Sequence, residues 1–230
     1  MNLLITGSEG NIGKTITSWL KQNSSQEHYK IRCVDKNDRD SPLDILKDDL
    51  NSIFSGIEAI IHLAANPNPF ISKDEAEDNL EITRRIIDYS RGEKSLRKII
   101  NASSINVYPY IEMFERGEGI NESTPLSPNI MFGNGYYAQA KIESEKVLKE
   151  FSFKYGIGLI NLRLGVITRD DLPPRQQDGK IKEIDKIIHL KNKDLESTIE
   201  RSLNLEGSHD FVCVSSNTEF ISPRMKIIQN

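Results

Sequence analysis

Residues 2–13 read NLLITGSEGNIG: an apolar run, Asn2-Leu3-Leu4-Ile5-Thr6, then Gly7-Ser8-Glu9-Gly10-Asn11-Ile12-Gly13. Three large aliphatic residues in a row fit a strand buried on both faces. The glycines follow at the spacing G-x-x-G-x-x-G, and an amphipathic stretch over residues 11–21 takes over from them. Gly7, Gly10 and Gly13 suit a tight turn, close backbone approach to a pyrophosphate, and close helix–strand packing. The helix start then offers free N–H groups and a partial positive charge to the phosphates. A glycine triplet also occurs in ordinary turns. Its weight here comes from its place between a buried strand and a helix.

The alternation continues along the chain. Residues 29–35 (YKIRCVD), 59–64 (AIIHLA), 96–103 (LRKIINAS), 158–163 (GLINLR) and 210–214 read as strands, and residues 48–54, 74–91, 136–155 and 194–203 read as helices. Strands alternating with helices predict parallel pairing through right-handed crossovers, an α/β doubly wound parallel sheet. Two long polar segments, 109–135 and 168–182, read as loops of the size that serves binding. The expected organisation is a cofactor-binding domain over 1–167 and a short substrate-side lobe and lid over 168–230, with no independent fold of its own. The acidic run over residues 73–78 reads as a helix start carrying its favourable charge.

Composition narrows the function. The chain has 230 residues, 37% apolar and 28% charged, enough to build a core and too apolar for a disordered chain. A net charge of −4 gives no basic footprint for nucleic acid or an anionic membrane. The longest apolar stretch, residues 59–65, contains His62 and is too short to span a bilayer. Cys33 and Cys213 lie far apart, which points to a reduced, cytoplasmic setting; MNLLITG lacks the pattern of a secretory signal. The four histidines are scattered without metal-ligand spacing, so no metal is expected.

Asp35 closes the second strand, 22 positions past Gly13. A carboxylate there accepts hydrogen bonds from an adenosine ribose and repels a 2′-phosphate, which favours NAD over NADP. Lys36 and Arg39 keep NADP as the lesser alternative. Further on, Ser104 ends a strand, and Tyr137 and Lys141 open a helix, with Tyr137 33 positions after Ser104. A Tyr and Lys at i and i+4 share one helix face. An ammonium, together with a nicotinamide positive charge, stabilises a tyrosinate and lowers the Tyr pKa, while a Ser hydroxyl holds the substrate oxygen. Arg163 and Arg175 suit bidentate clamping of a carboxylate or phosphate. His62 reads as a buried strand-end residue beside the cofactor rather than a base.

Taken in order over about residues 1–167, these motifs resemble the extended short-chain dehydrogenase/reductases, the NAD-dependent epimerase/dehydratase family. The resemblance rests on TGSEGNIG, Asp35, Asp44-Ile45 in DILKD, HLAA at 62–65, Asn79, SSINVY, YAQAK and NLRLG at 161–165. It implies a Rossmann fold and a catalytic triad of Ser104, Tyr137 and Lys141. It implies cofactor contacts from Gly7, Gly10, Asn11, Ile12, Gly13, Asp35, Asp44, Ile45, Leu63, Ala64, Ala65, Asn79, Tyr137 and Lys141. Ser104, Asn106, Arg163 and Arg175 are the substrate candidates, and a homodimer joined by a four-helix bundle is expected. The departures are Pro109 after Tyr108, Thr168-Arg169-Asp170 where the family carries Gly-Pro, and a short tail. That tail resembles the uronate dehydrogenase branch, although Ile105-Asn106 stands where that branch has Asn-His. The function implied is NAD-dependent oxidation of a hydroxyl on a sugar or sugar derivative. A sugar-nucleotide epimerase or dehydratase with tightly bound NAD is the alternative, and a non-catalytic dinucleotide-binding regulator the alternative of another class.

Overall fold

A computed structural model describes residues 1–23, 29–175 and 182–215. Six strands, β1 (Asn2–Thr6), β2 (Lys30–Val34), β3 (Ala59–His62), β4 (Lys98–Ser104), β5 (Gly158–Leu164) and β6 (His209–Cys213), form one sheet in the order β2-β1-β3-β4-β5-β6. Every pairing is parallel, and Thr6 lies in register with both Val34 and His62. The chain moves to one side of β1 for β2 and to the other side for β3, so the sheet reverses direction at β1. In an open α/β sheet that reversal opens a crevice at the carboxyl ends of the strands, and ligands bind there.

The unbroken aliphatic run of β1 is explained by cover on both faces. On one side Leu3, Ile5, Ile61, Ile100 and Leu162 pack against α1 (Asn11–Asn23) and α7 (Asn192–Asn204) through Ile16, Leu20, Leu195, Ile199 and Leu203. On the other, Leu4, Ile60, Ile99 and Leu159 meet Ile86 and Ile87 of α3 (Lys73–Ser90), with Leu148 and Phe151 of α5 (Tyr136–Tyr155). The acidic start of α3 is a capping box: the Ser72 hydroxyl accepts the Glu75 N–H, and the Glu75 carboxylate accepts the Ser72 N–H. A short α2 (Asn51–Phe54) links β2 to β3.

One expectation needs correction, and two features add to the reading. The segment 109–135 is not all loop: α4 (Tyr110–Glu115) lies in it, and Tyr110 and Met113 pack with Tyr108, Ile120 and Val212 in a third apolar cluster. Residues 183–187 form a short helix, α6 (Glu183–Ile187), beyond the second loop; residues 176–181 of that loop lie outside the described residues. In the described part of 168–230, α7 packs into the main core and β6 pairs with β5, so this part of the tail completes the sheet. The segment between β5 and α7 is what remains beside the strand ends. Among the described residues no helix is long and apolar enough to cross a membrane, and Cys33 and Cys213 are free thiols.

Candidate active site

The glycine turn sits at the reversal point. Gly7 has φ +72° and a Cβ there would lie 2.7 Å from Ala64 N, so the turn presses on the chain just past β3. A Cβ on Gly13 would lie 2.1 Å from the Gly7 carbonyl oxygen, which brings α1 hard against the turn. Only glycine allows both approaches. The floor is held by a buried polar latch. Thr6 Oγ1 accepts N–H groups of Leu63 and Ala64 at 3.2 and 3.3 Å, which leaves its own proton for His62 Nδ1 at 2.9 Å. His62 Nε2 then carries the hydrogen and faces Thr83 Oγ1 at 3.1 Å. Burial, with the nearby Lys141 charge, pushes His62 down to about 3, so it is a neutral structural residue, as expected.

A cavity of about 1280 Å³ runs from this turn across the strand ends. Its walls include Gly7, Gly10, Asn11, Ile12, Gly13, Asp35, Asp44, Ile45, Leu63, Ala64, Ala65, Asn79, Ser104, Asn106, Tyr137, Lys141 and Arg175. The volume exceeds the roughly 300–1,000 Å³ of an ordinary small-ligand site, leaving room for a dinucleotide and a second molecule. Asp35 Oδ2 accepts the Glu9 N–H at 2.9 Å and Oδ1 the Asn37 N–H at 2.8 Å. Each oxygen keeps a lone pair for a ribose hydroxyl. The glycine cradle, the α1 N-terminus and this carboxylate therefore fit an adenine dinucleotide. Asn79 has a second duty: its amide spans the Asn66 backbone, accepting N–H at 2.7 Å and donating to the carbonyl at 3.0 Å, and so shapes the loop after β3.

Ser104, Tyr137 and Lys141 converge at the far end of the cradle. Ser104 is the last residue of β4, and its hydroxyl stands near the Tyr137 phenol. Lys141 Nζ donates to the Ala102 carbonyl at 2.7 Å and lies 5.9 Å from the Tyr137 ring centre. Tyr137 is 9% exposed, whereas Tyr136 points outward at 45%. Tyr137 thus lines the cavity, while Tyr136 faces water. In the chain without cofactor, burial pushes Tyr137 up to about 12, with the nearby Ser104 hydroxyl only partly opposing it, and burial also pushes Lys141 down to about 8.

Arg163 is not a substrate clamp. Its side chain is 2% exposed, pairs with Glu145 and Asp210, and donates to the Tyr108 hydroxyl. The reason lies in register: Arg163 stands opposite Ser103 on the adjoining strand, and both reach Glu145. Arg175 lines the cavity and is exposed, and the Asn106 backbone N–H donates to Ser104 Oγ at 3.2 Å. The sequence reading missed Glu145, although YAQAKIESE places it four residues after Lys141. It also missed the apolar mouth, where Phe132 and Phe70 meet edge to face with centres 5.8 Å apart. Exposed aromatics in a loop carry no periodicity by which to find them.

The sequence matches the model of the NAD dependent epimerase/dehydratase family over residues 3–214, and the chain belongs to that family. It is 24% identical over 189 residues to the L-arabinose 1-dehydrogenase (NAD(P)(+)) of Haloferax volcanii, covering 76% of this chain and 71% of that one. The fold is similar to that of a glucuronic acid dehydrogenase from Chromohalobacter salexigens, with TM-score 0.77, 18% identity, and 99% and 82% of the two chains covered. It is also similar to a UDP-glucuronic acid 4-epimerase from Bacillus cereus in complex with UDP-glucuronic acid and NAD, with TM-score 0.70, 19% identity, and 94% and 78% covered. The protein is an NAD-dependent enzyme of the short-chain dehydrogenase/epimerase type.

Proposed function

We propose that this enzyme oxidises a hydroxyl of a free sugar or sugar acid. The observation that carries the reading is the meeting of Ser104, Tyr137 and Lys141 at the end of a dinucleotide cradle. Bound NAD supplies the hydride acceptor and a positively charged ring. Ser104 orients the substrate oxygen, Tyr137 takes the hydroxyl proton, and Lys141 holds the cofactor ribose and favours the tyrosinate. Asp35 selects NAD by its charge, and Asp44, Ile45 and Asn79 line the nucleotide side. Asn106 and Arg175 face the substrate, Arg175 as partner for a carboxylate.

One comparison favours a free sugar over a sugar nucleotide: the arabinose dehydrogenase matches over three-quarters of this chain. We place the enzyme in the cytoplasm, where two free thiols persist, as a homodimer.

The test is to purify the protein, record whether NAD travels with it, and follow absorbance at the NADH band against free sugars, sugar acids, and UDP- and dTDP-sugars. Net NADH from a free sugar is the expected result. Bound NAD, an isomerised nucleotide sugar and no net NADH would replace the dehydrogenase with an epimerase. NAD binding with no turnover on the whole panel would leave a regulator.

A further inference from the structure

Asn106 lies in the short helical turn that follows β4 (Ile105–Val107), and its polar groups are held at three points. Its backbone N–H donates to Ser104 Oγ at 3.2 Å, its carbonyl accepts the Asn129 N–H at 2.9 Å, and its Oδ1 accepts from Asn129 Nδ2 at 3.4 Å. Two of these bonds come from one residue, Asn129, which is fully buried in the loop before α5. Close by, the Ser127 N–H donates to the Val107 carbonyl at 2.9 Å, so residues 127–129 run beside 106–107 and are pinned to them. The remaining group, Asn106 Nδ2, finds no acceptor among the described residues, and Asn106 lines the cavity together with Ser104.

The direction of both amides follows from one backbone group. The Met131 N–H can only donate, and it donates to the Asn129 side chain at 3.1 Å, so the atom facing it is Oδ1. This is the turn in which an Asn side chain bonds the backbone two residues on. Asn129 therefore turns its Nδ2 toward Asn106. A donor there requires an acceptor opposite, so Asn106 presents Oδ1 to it and keeps Nδ2 for the cavity. We propose that Asn129 is a positioning residue that fixes the Asn106 amide with its NH2 group toward the substrate, beside Ser104.

The inference rests on reading the space beside Ser104 and Tyr137 as the substrate's, and it states which kind of atom Asn106 meets there. A hydroxyl or carboxylate oxygen accepts from an NH2 group. The ammonium of an amino sugar has only donors, and in that place two donors would face each other. Asn129 itself is not among the residues lining the cavity, so its effect on a substrate passes through Asn106.

One part of the test needs no substrate. With asparagine side-chain nitrogens isotopically labelled, each amide gives its own pair of magnetic-resonance signals, and the two in question are those lost in Asn106→Ala and Asn129→Ser. In the cofactor-free parent the Asn129 amide should exchange with water slowly and the Asn106 amide quickly. An Asn106 amide as slow as that of Asn129 overturns the proposal. In Asn106→Asp an acceptor still faces Asn129, so the Asn129 amide should stay slow, whereas in Asn106→Ala it should exchange about tenfold faster or more. Fast exchange in folded Asn106→Asp, or no change in folded Asn106→Ala, overturns it as well. The other part reads positioning. Asn129→Ser keeps a side-chain oxygen for the turn to Met131 but has no arm to reach Asn106. With the sugar that the panel identifies, KM should rise about tenfold or more while NAD affinity holds, and the same change made on Asn106→Ala should add nothing. An unchanged KM, or a rise that persists undiminished on Asn106→Ala, overturns the proposal, because Asn129 would then not act through Asn106. A panel on which nothing turns over tells against the sugar reading and leaves the exchange result to decide this one.

Discussion

At the scale of single residues, two adjacent tyrosines give the sharpest test. Tyr137 and Tyr136 have the same chemistry and opposite surroundings, one buried against Ser104 and one facing water. Tyr137→Phe removes the phenol and keeps the ring, so turnover should fall about 10²-fold or more while NAD affinity hardly changes. Tyr136→Phe should keep its rate, and Lys141→Ala should lose turnover and NAD binding together. Steady-state kinetics with a fluorescence titration of NAD checks all three, and a dead Tyr136→Phe beside a working Tyr137→Phe would mean the wrong tyrosine has been chosen. His62 makes a second prediction, in stability. Its value falls from 6.5 free to about 3 in the fold, so below pH 6.5 the unfolded chain binds a proton that the folded chain refuses. Stability should therefore drop as pH falls from about 6.5 toward about 3, by up to about 1.4 kcal/mol per pH unit from this group. Urea unfolding at several pH values should give a shallower acid slope for His62→Gln than for the parent, and equal slopes would remove His62 from the acid response.

At the scale of elements, the attachment of the tail to the core can be probed. Leu195 of α7 is fully buried in the cluster shared with α1 and β1. If α7 is part of the main core, Leu195→Ala should lower the unfolding free energy by about 2–5 kcal/mol in a single cooperative transition. A loss below about 1 kcal/mol, or a separate early transition, would restore the picture of an appended lobe. The difficulty of reading this from sequence is physical. Residues 194–203 are as amphipathic as any surface helix, and amphipathicity tells which face is buried but not against what. The strands were legible because a parallel sheet covered on both sides needs continuous aliphatic runs, and NLLIT, AIIH and KIINASS supply them. The helix α5 was legible to the residue. Helices α4 and α6 span six and five residues, too few to show a period, and prolines and glycines around the first of them read as loop. In the site, the glycine turn, Asp35, Ser104, Tyr137 and Lys141 all lie where their spacing put them, because each depends on local geometry at a strand end or along one helix. Arg163 misled because a guanidinium on a strand reads the same whether it faces a ligand or a buried carboxylate on the neighbouring helix.

At the scale of the whole molecule, the outer surface of the α3–α5 pair argues how two copies meet. On α5, Gln139, Lys146 and Glu150 are exposed along one stripe, bracketed by Tyr136 at its start and Phe153, 92% exposed, near its end. The neighbouring face of α3 exposes Glu77, Arg84 and Asp88. A two-fold axis between antiparallel copies of α5 would bring the Tyr136 end of one helix toward the Phe153 end of the other, joining two apolar anchors across a charged middle. Closed two-fold dimers are the commonest assembly, and interface energy concentrates in a few aromatic anchors. We therefore expect a homodimer built on α3 and α5, held by its aromatic ends and sensitive to salt in its middle, because exposed charges are screened beyond about 10 Å at 0.1 M ionic strength. Light scattering at micromolar concentration should give twice the chain mass in dilute buffer. Phe153→Asp should give a folded monomer, since this ring lies outside the core and its loss leaves the protomer's packing intact. A monomer mass for the parent chain in dilute buffer would exclude the assembly, and a Phe153→Asp protein that stays dimeric would move the interface to another face.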